Sequence, residues 1–429
     1  MPNKTNYRHN ILLVVKSFQS ADPMLNKKSS GKLRVPYALS VYDDSEINAV
    51  IAVLKEHRSN MGRETEEFEK RVAKYFGAKF GIMVNSGSSA NLIAVELSNL
   101  KNGDEVITPA LTFSTTVSPL IQKGLIPVFV DVDLETYQIN LEQMEKAINK
   151  KTKGLMIPLL LGNVPNLEKI KKIAKKYKLF LIIDSCDTLG ANFNKKPINF
   201  FADISTTSFF GSHIITAGGN GGMVLLNDKK QRDRAKVLRG WGRSSSIFSE
   251  SESVEKRFKQ KIDGISYDAK FVFQEIAYNL LPMEISAAFG NKQLDKLGIF
   301  RKRREENFER LHNFFSKYDN FFILPKQLKR VQTQWLSFPL TIKEEVKFER
   351  IEIVKFLEKN NIQTRPIFTG NILRQPGFKN IKHAGLQNKF PNADLIMERG
   401  FVIGCHHGLR EKHLRKLEKA FELFLSKYN

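Results

Sequence analysis

The chain has 429 residues, of which 41% are hydrophobic and 26% charged, and its 68 Lys+Arg against 45 Asp+Glu give a formal net charge of +23. That length suits one large domain with a smaller companion, or about two to three ordinary domains, and the apolar content suffices for a core. No apolar run approaches the ~20 residues that a bilayer-spanning helix requires, and the two cysteines, Cys186 and Cys405, exclude a disulfide framework or a four-thiolate metal site within one chain.

Residues 1–34 read as an N-terminal extension. Met1 to Asn10 is polar and basic, and Ile11 to Val15 falls short of the ~7–15-residue core of a signal peptide, so a cytoplasmic protein is expected. Apolar residues at helical spacing then predict helices over Glu46 to His57 and Glu67 to Phe76, followed by a short buried strand, Phe80 to Val84. Asn85-Ser86-Gly87-Ser88-Ser89-Ala90-Asn91 is a turn cluster that opens the helical pattern Leu92 to Leu97. The alternation continues with strand Glu105 to Thr108, helix Thr115 to Lys123, strand Ile126 to Val132, an apolar strand candidate from Gly154 to Leu161, helix Leu167 to Lys176 and strand Leu179 to Asp184. Such a rhythm argues for a mainly parallel sheet covered by helices on both faces. Further along, Arg301 to Tyr318 reads as a polar helix, with strand candidates around Gln334 to Ile342 and a last helix over Glu411 to Ser426. The lysine-rich stretches, such as Lys169 to Lys178, alternate with apolar positions and read as a solvated face, so no nucleic-acid partner is expected.

Several segments carry chemistry. Small residues at a helix start leave backbone N–H groups and the positive end of the helix dipole facing outward, which suits a phosphate; Gly87, Ser88 and Ser89 occupy that place, although an ordinary capped helix reads the same way. Asp184 ends a strand, where the ligand crevice of an α/β sheet lies, while a lone Asp there also serves as a cap. Further on, Thr207-Ser208-Phe209-Phe210-Gly211-Ser212-His213-Ile214-Ile215-Thr216 precedes the glycine-rich run Gly218 to Gly222.

Taken with Ile183-Asp184-Ser185-Cys186-Asp187 and Pro109-Ala110-Leu111-Thr112-Phe113, this last segment resembles the cofactor-anchoring region of the DegT/DnrJ/EryC1/StrS aminotransferase family. The resemblance runs from about Val35 to Arg415 and implies the fold of the pyridoxal-phosphate-dependent aspartate aminotransferases, fold type I. A large α/β domain would occupy 35–295 and a smaller α+β domain 296–429. It also implies that Asp184 meets the ring nitrogen, Asp187 the ring hydroxyl and Phe113 the ring face, with Ser208 joining Gly87, Ser88 and Ser89 at the phosphate. Asn279 would reach the phosphate of a neighbouring subunit's cofactor, so a homodimer with shared active sites is expected.

In most of the family the residue at position 213 is the lysine that holds the cofactor covalently. A primary amine can do so and an imidazole cannot, but an imidazole with a pKa of about 6.5 is a competent proton-transfer base. The resemblance therefore points to the sugar 3-dehydratase branch, which uses pyridoxal 5'-phosphate in its free pyridoxamine 5'-phosphate form, with His213 as base. The substrate class implied is a nucleotide-diphosphate 4-keto-6-deoxy sugar of O-antigen or other surface-polysaccharide biosynthesis. Arg239-Gly240-Trp241-Gly242-Arg243, Thr364-Arg365 and Gly370-Asn371-Ile372-Leu373-Arg374 are similar to segments of lipopolysaccharide-type CDP-sugar dehydratases. Arg243, Arg365, Asn371 and Arg374 are accordingly the substrate candidates, an arginine fork suiting both carboxylate and diphosphate. Those relatives carry an iron-sulfur cluster on cysteines just after the Trp-Gly-Arg segment. Here Arg243 to Lys256 holds serines and no cysteine, so no cluster is expected, and L-glutamate becomes the expected amino donor. An aminotransferase, a dehydratase served by a separate reductase and a non-catalytic binding protein remain open as readings. Leu159, where some relatives place a polar residue, and Ile183, where many dehydratases carry Glu, are departures. His406 and His407 read equally as substrate contacts or surface residues.

Overall fold

The computed structural model describes residues 33–248, 253–385 and 389–428. Seven strands form most of its main sheet: β1 (Phe80–Val84), β2 (Glu105–Pro109), β3 (Ile126–Val130), β4 (Thr152–Pro158), β5 (Phe180–Asp184), β6 (Ile204–Ser208) and β7 (Gly222–Leu226). Their spatial order is β1-β7-β6-β5-β4-β2-β3, with Ala384–Gly385 added in parallel beyond β3. β2 to β6 pair in parallel, whereas β7 is antiparallel to both β1 and β6. Every residue of β2 and β6 is buried, as expected of strands covered on both faces. Successive side chains alternate between two cores: Ile183 and Ile107 join Phe68 and Phe209 on one face, while Ile182 and Val106 join Ile93 and Val224 on the other.

The helices start where the side chains can close them. In α1 (Asp44–Lys55) the N-cap Asp43 and Glu46 form a reciprocal capping box. The next helix, α2 (Arg63–Phe76), has a glycine at its N-cap, and its first amides are covered by Glu284, whose carboxylate accepts from Gly62 N, Glu64 N and Thr65 N at 2.7, 2.6 and 3.1 Å. Two further helices bear on the site, α3 (Gly87–Leu97) and α4 (Ser114–Gln122).

Glu284 also begins the long helix α5 (Glu284–Phe315), which starts well before the predicted Arg301. Its first half is masked in the sequence by small and polar residues that the tertiary structure buries. Leu294, Leu297 and Phe300 enter the large core, and Leu311, Phe314 and Phe315 enter a second one. The expected domain boundary at 295/296 thus falls inside one continuous helix. The second core lies under an antiparallel sheet of Phe322–Ile323, Phe338–Ile342, Gly400–Ile403 and Thr364–Pro366, covered by helices Arg350–Lys359 and Glu411–Leu425. Aromatic edges dominate it, as in Phe315 against Phe421 at 4.8 Å. Val35 belongs to this second core and bridges to Ile362, so the segment entering α1 starts on the small unit. The predicted strand over Gln334 to Ile342 is shorter in fact, because Trp335 and Leu336 turn their carbonyls to Arg304 at 3.0 Å each.

No helix among the described residues is long and apolar enough to cross a membrane.

Candidate active site

The C-terminal ends of β5 and β6 and the N-terminus of α3 converge on one crevice. Ser86 caps α3, its Oγ accepting from Ser89 N at 3.1 Å, and Ser89 Oγ donates back to Asn85 Oδ1 at 2.6 Å. Ser88 is exposed and donates to Thr115 Oγ1 at 3.0 Å. Gly87 is where the strands and the helix come closest: a Cβ there would lie 2.7 Å from Ser208 Cβ and 2.9 Å from Cys186 Sγ. Only a glycine lets this turn rest against Ser208, so Gly87, Ser88, Ser89 and Ser208 share one small cradle.

Asp184 is buried and firmly oriented. Its Oδ2 accepts from Asn91 Nδ2 at 2.8 Å and Thr116 Oγ1 at 2.7 Å, and its Oδ1 accepts from Cys186 N at 3.2 Å. Asn91 is in turn held by Thr206 Oγ1, which donates to its Oδ1 at 2.6 Å. The sequence reading had no role for Asn91, Thr116 or Thr206; a polar residue one turn into an apolar helix was the available signal. The neighbouring Cys186 thiol is pushed well above its ordinary pKa, by burial first and by Asp184 second, and is an unreactive neutral group.

His213 follows β6 in a loop that folds back on itself. Gly211 N donates to Gly219 O at 3.0 Å and Ala217 N to Phe209 O at 3.0 Å, while Phe209 anchors the turn edge-on against Phe68 at 4.8 Å. The imidazole Nε2 lies 3.8 Å from Asp187 Oδ1, and Nδ1 is buried with no hydrogen-bond partner. Burial is the main cause holding the His213 pKa down, to about 4, with Arg304 acting in the same direction and Asp184 against it. Asp187 is pushed up to about 7 by burial and by Asp184, although Leu161 N donates to its Oδ2 at 3.0 Å. Leu161 adopts the left-handed region, with φ 62°, to aim that amide, a strain of the kind that collects at functional sites. At neutral pH the pair is a neutral imidazole facing a carboxyl that readily exchanges its proton.

Phe113 is 49% exposed, an unusual state for a phenylalanine, and touches Phe368 edge-on at 6.2 Å. It precedes α4, the helix that carries Thr116 to Asp184. Arg365 is exposed over the Tyr37 ring at 5.6 Å, and Tyr37 is itself raised to about 12, by burial and then by Asp187, which places this arginine on the same side of the crevice. Asn371 and Arg374 are engaged elsewhere. Both donate to Asp394 Oδ1, at 2.7 and 2.6 Å, and Asn371 also caps the short helical turn after it.

Arg243 and Asn279 lie together on an exposed ledge next to the α3 turn, where Leu280 O accepts from Asn85 N at 3.1 Å and Gly240 pairs with Asn279. The Arg243 guanidinium stands over Trp241, Phe271 and Phe273 at 4.3, 5.7 and 6.0 Å, and its buried Nε has no hydrogen-bond partner. Within the serine-rich run, Ser244 is buried and bonded to Gln260 Oε1 and Ala269 O; Ser249 and Ser251 lie outside the described residues. Among the described residues no cluster of three His, Cys, Asp or Glu could hold a metal. His406 and His407 are not surface residues: His406 Nε2 meets Pro36 O at 3.1 Å, and His407 stacks on Phe300 at 3.9 Å.

This arrangement can be compared with known proteins. A profile described as the DegT/DnrJ/EryC1/StrS aminotransferase family matches residues 41–422. The chain belongs to this family. It is similar to the lipopolysaccharide biosynthesis protein RfbH of Salmonella typhimurium, 36% identical over 419 residues that cover 95% of both chains. It is 33% identical to the GDP-4-keto-6-deoxy-D-mannose 3-dehydratase of Yersinia pseudotuberculosis over 383 residues, 87% of this chain and 94% of that one. The E. coli GDP-4-keto-6-deoxy-D-mannose-3-dehydratase, solved with bound hydrated PLP, superposes with a TM-score of 0.82 at 31% identity, covering 91% of this chain and 99% of that one. The fold of this family member is therefore that of the PLP-dependent aminotransferases.

Proposed function

We propose that this family member is a 3-dehydratase of a nucleotide-linked 4-keto-6-deoxy sugar that works with pyridoxal 5'-phosphate in its amine form. The observation that carries the reading is His213, a neutral imidazole 3.8 Å from Asp187, at the position where aminotransferases of the family need an amine.

The residues present fit the cofactor. Gly87 leaves a cradle that a Cβ would fill, α3 offers its first amides there, and Asp184 is aimed by three hydrogen bonds at the end of β5. When bound, pyridoxamine phosphate supplies the amine that meets the C4 ketone and a protonated ring that accepts electron density. Gly87, Ser88, Ser89 and Ser208 would bind its phosphate, Asp184 would keep its ring nitrogen protonated, Asp187 would face the ring hydroxyl, and Phe113 would cover the ring face. His213 would serve as the base that holds and moves the proton at the reacting carbon, a role typically worth ~10²–10⁴ in rate. Its low pKa keeps the acceptor nitrogen free at neutral pH.

Arg243, held on three rings with an unpartnered Nε, and the exposed Arg365 are the groups for a diphosphate or for the carboxylate of L-glutamate, the proposed amino donor. Asn371 and Arg374 would act only after release from Asp394. Phe271, Phe273, the fully exposed Ile276 and Met283 lie exposed on the segment that carries Asn279, an apolar stretch that suits a second copy of the chain and the shared active sites of a homodimer.

The test is incubation of the purified protein with pyridoxal phosphate, glutamate and CDP-, GDP- and dTDP-linked 4-keto-6-deoxyhexoses, following ammonia and product mass. Ammonia with a product lacking one hydroxyl oxygen supports the dehydratase and names its nucleotide. A 4-amino sugar without ammonia returns the protein to aminotransfer, and turnover only with an added reductase assigns the electron-driven route. Binding without turnover indicates a non-catalytic relative.

A further inference from the structure

Arg304 sits in the middle of α5, 1% exposed, and among the described residues no carboxylate lies within ion-pairing distance of it. A buried guanidinium without a counter-ion is costly unless its donors are occupied, and here they are spent on two lobes at once. Nη1 donates to Trp335 O and Leu336 O at 3.0 Å each, on the segment leading into the small sheet. Nε donates to His407 Nδ1 at 3.2 Å, and Nη2 reaches His213 O at 3.5 Å. The first of these bonds requires His407 to carry its proton on Nε2, which is itself buried and unpartnered. His407 is pressed against Phe300, one turn before Arg304 on the same helix, with the rings 19° from parallel.

We propose that Arg304 is a positioning residue for His213: a buried cation that ties the loop after β6 to the Trp335–Leu336 segment and to His407, and whose charge faces the imidazole. The inference rests on His213 being the base of the reaction proposed above. The charged and titratable groups facing His213 are Asp187 and Asp184 from the end of β5 and Arg304 from α5. Asp184 favours imidazolium. Burial opposes it, and so does Arg304, the one cation of the three groups. His406 and His407, also neighbours of Arg304, are both held below the ordinary histidine range, by burial first and by Arg304 second. One guanidinium thus adds to burial in disfavouring the protonated form of three histidines.

The experiment is a titration of the histidine ring resonances in the full-length protein, with His213 assigned from a His213→Asn variant, combined with kcat and KM against pH. In the unmutated chain His213 should stay neutral to well below its ordinary pKa; a His213 that titrates near 6.5 would overturn the proposal without any Arg304 variant. In Arg304→Gln the His213 titration should move up, and the acid limb of kcat should move with it. Arg304→Lys, which keeps a charge and loses the fork, should leave the titration low while lowering kcat about tenfold or more at little change in KM. A fall in kcat for Arg304→Gln with an unmoved titration would reduce Arg304 to a structural role. The titration is read without substrate, so the inference and the assignment of the reaction can fail separately.

Discussion

Asn91, on the first turns of α3, donates to the Asp184 carboxylate at 2.8 Å across 93 residues of sequence, and the same side-chain amide accepts from Thr206 on β6, the strand paired with β5. Thr116 completes the set from α4 at 2.7 Å. Two helices thus hold the Asp184 side chain directly and β6 holds Asn91 in turn, which meets the requirement that a buried polar group be hydrogen-bonded. Asn91→Ala should free Asp184 and lower stability by about 1–3 kcal/mol. Pyridoxal phosphate affinity, followed by absorbance titration, should weaken in parallel. Unchanged affinity would detach Asn91 from the site.

Removing the imidazole tests the base directly. His213→Ala should lose ~10²–10⁴ of turnover while retaining cofactor binding, measured by product formation and by cofactor absorbance on the same preparation. Near-native turnover would remove His213 from the reaction.

Gly87→Ala is the sharpest probe of the phosphate cradle. The new Cβ meets Ser208 and Cys186 at 2.7 and 2.9 Å, contacts that backbone movement must relieve. Overpacking of this kind costs about 1–3 kcal/mol, and because the strain falls on the α3 turn, cofactor affinity should drop more than the melting temperature. A melting shift alone, with intact cofactor binding, would move the phosphate elsewhere.

Acid stability follows from the buried histidines. His213 and His413 are lowered to about 4 and His406 to about 3, each mainly by burial, and His407 lies well below the ordinary range. The unfolded chain binds protons at these rings near pH 6.5 and the folded chain does not, so their contribution is lost as pH falls from about 6.5 toward 4. Asp187, raised to about 7, works the other way: its contribution is present below pH 4 and lost as pH rises through 7. Asp131 and Asp133, raised by burial, share its sign. Four rings against these carboxyls leave a net loss on acidification, and Asp187→Asn should steepen it. Urea midpoints at pH 7 and pH 5 measure both effects; a flat wild-type profile would contradict the buried neutral state of the rings.

The proposed homodimer would use the ledge around Asn279. Ile276→Asp places a charge on the fully exposed apolar residue of that segment and should shift the protein toward monomer in sedimentation, with loss of activity but not of folding. A dimer that persists would place the interface on another face.

By itself the sequence determined the layered architecture and the cast of the site. Hydrophobic alternation and turn chemistry are local, so β1, β2, β3, β5 and the turn at Ser86 are legible within a residue or two, β4 only within three, and the motif order names Asp184, Asp187, Phe113 and His213 as candidates. Tertiary structure decided what these groups touch. The first half of α5 hides behind small and polar residues, because Glu284 serves the start of α2 rather than its own helix. Asn371 and Arg374, placed with the substrate by motif, are bonded to Asp394, whereas Asn91, Thr116, Thr206, Leu161 and Arg304 reach the site from distant segments. The protonation of His213 belongs to this second class as well, since desolvation and the field of neighbouring charges exist only once the chain has closed around the ring.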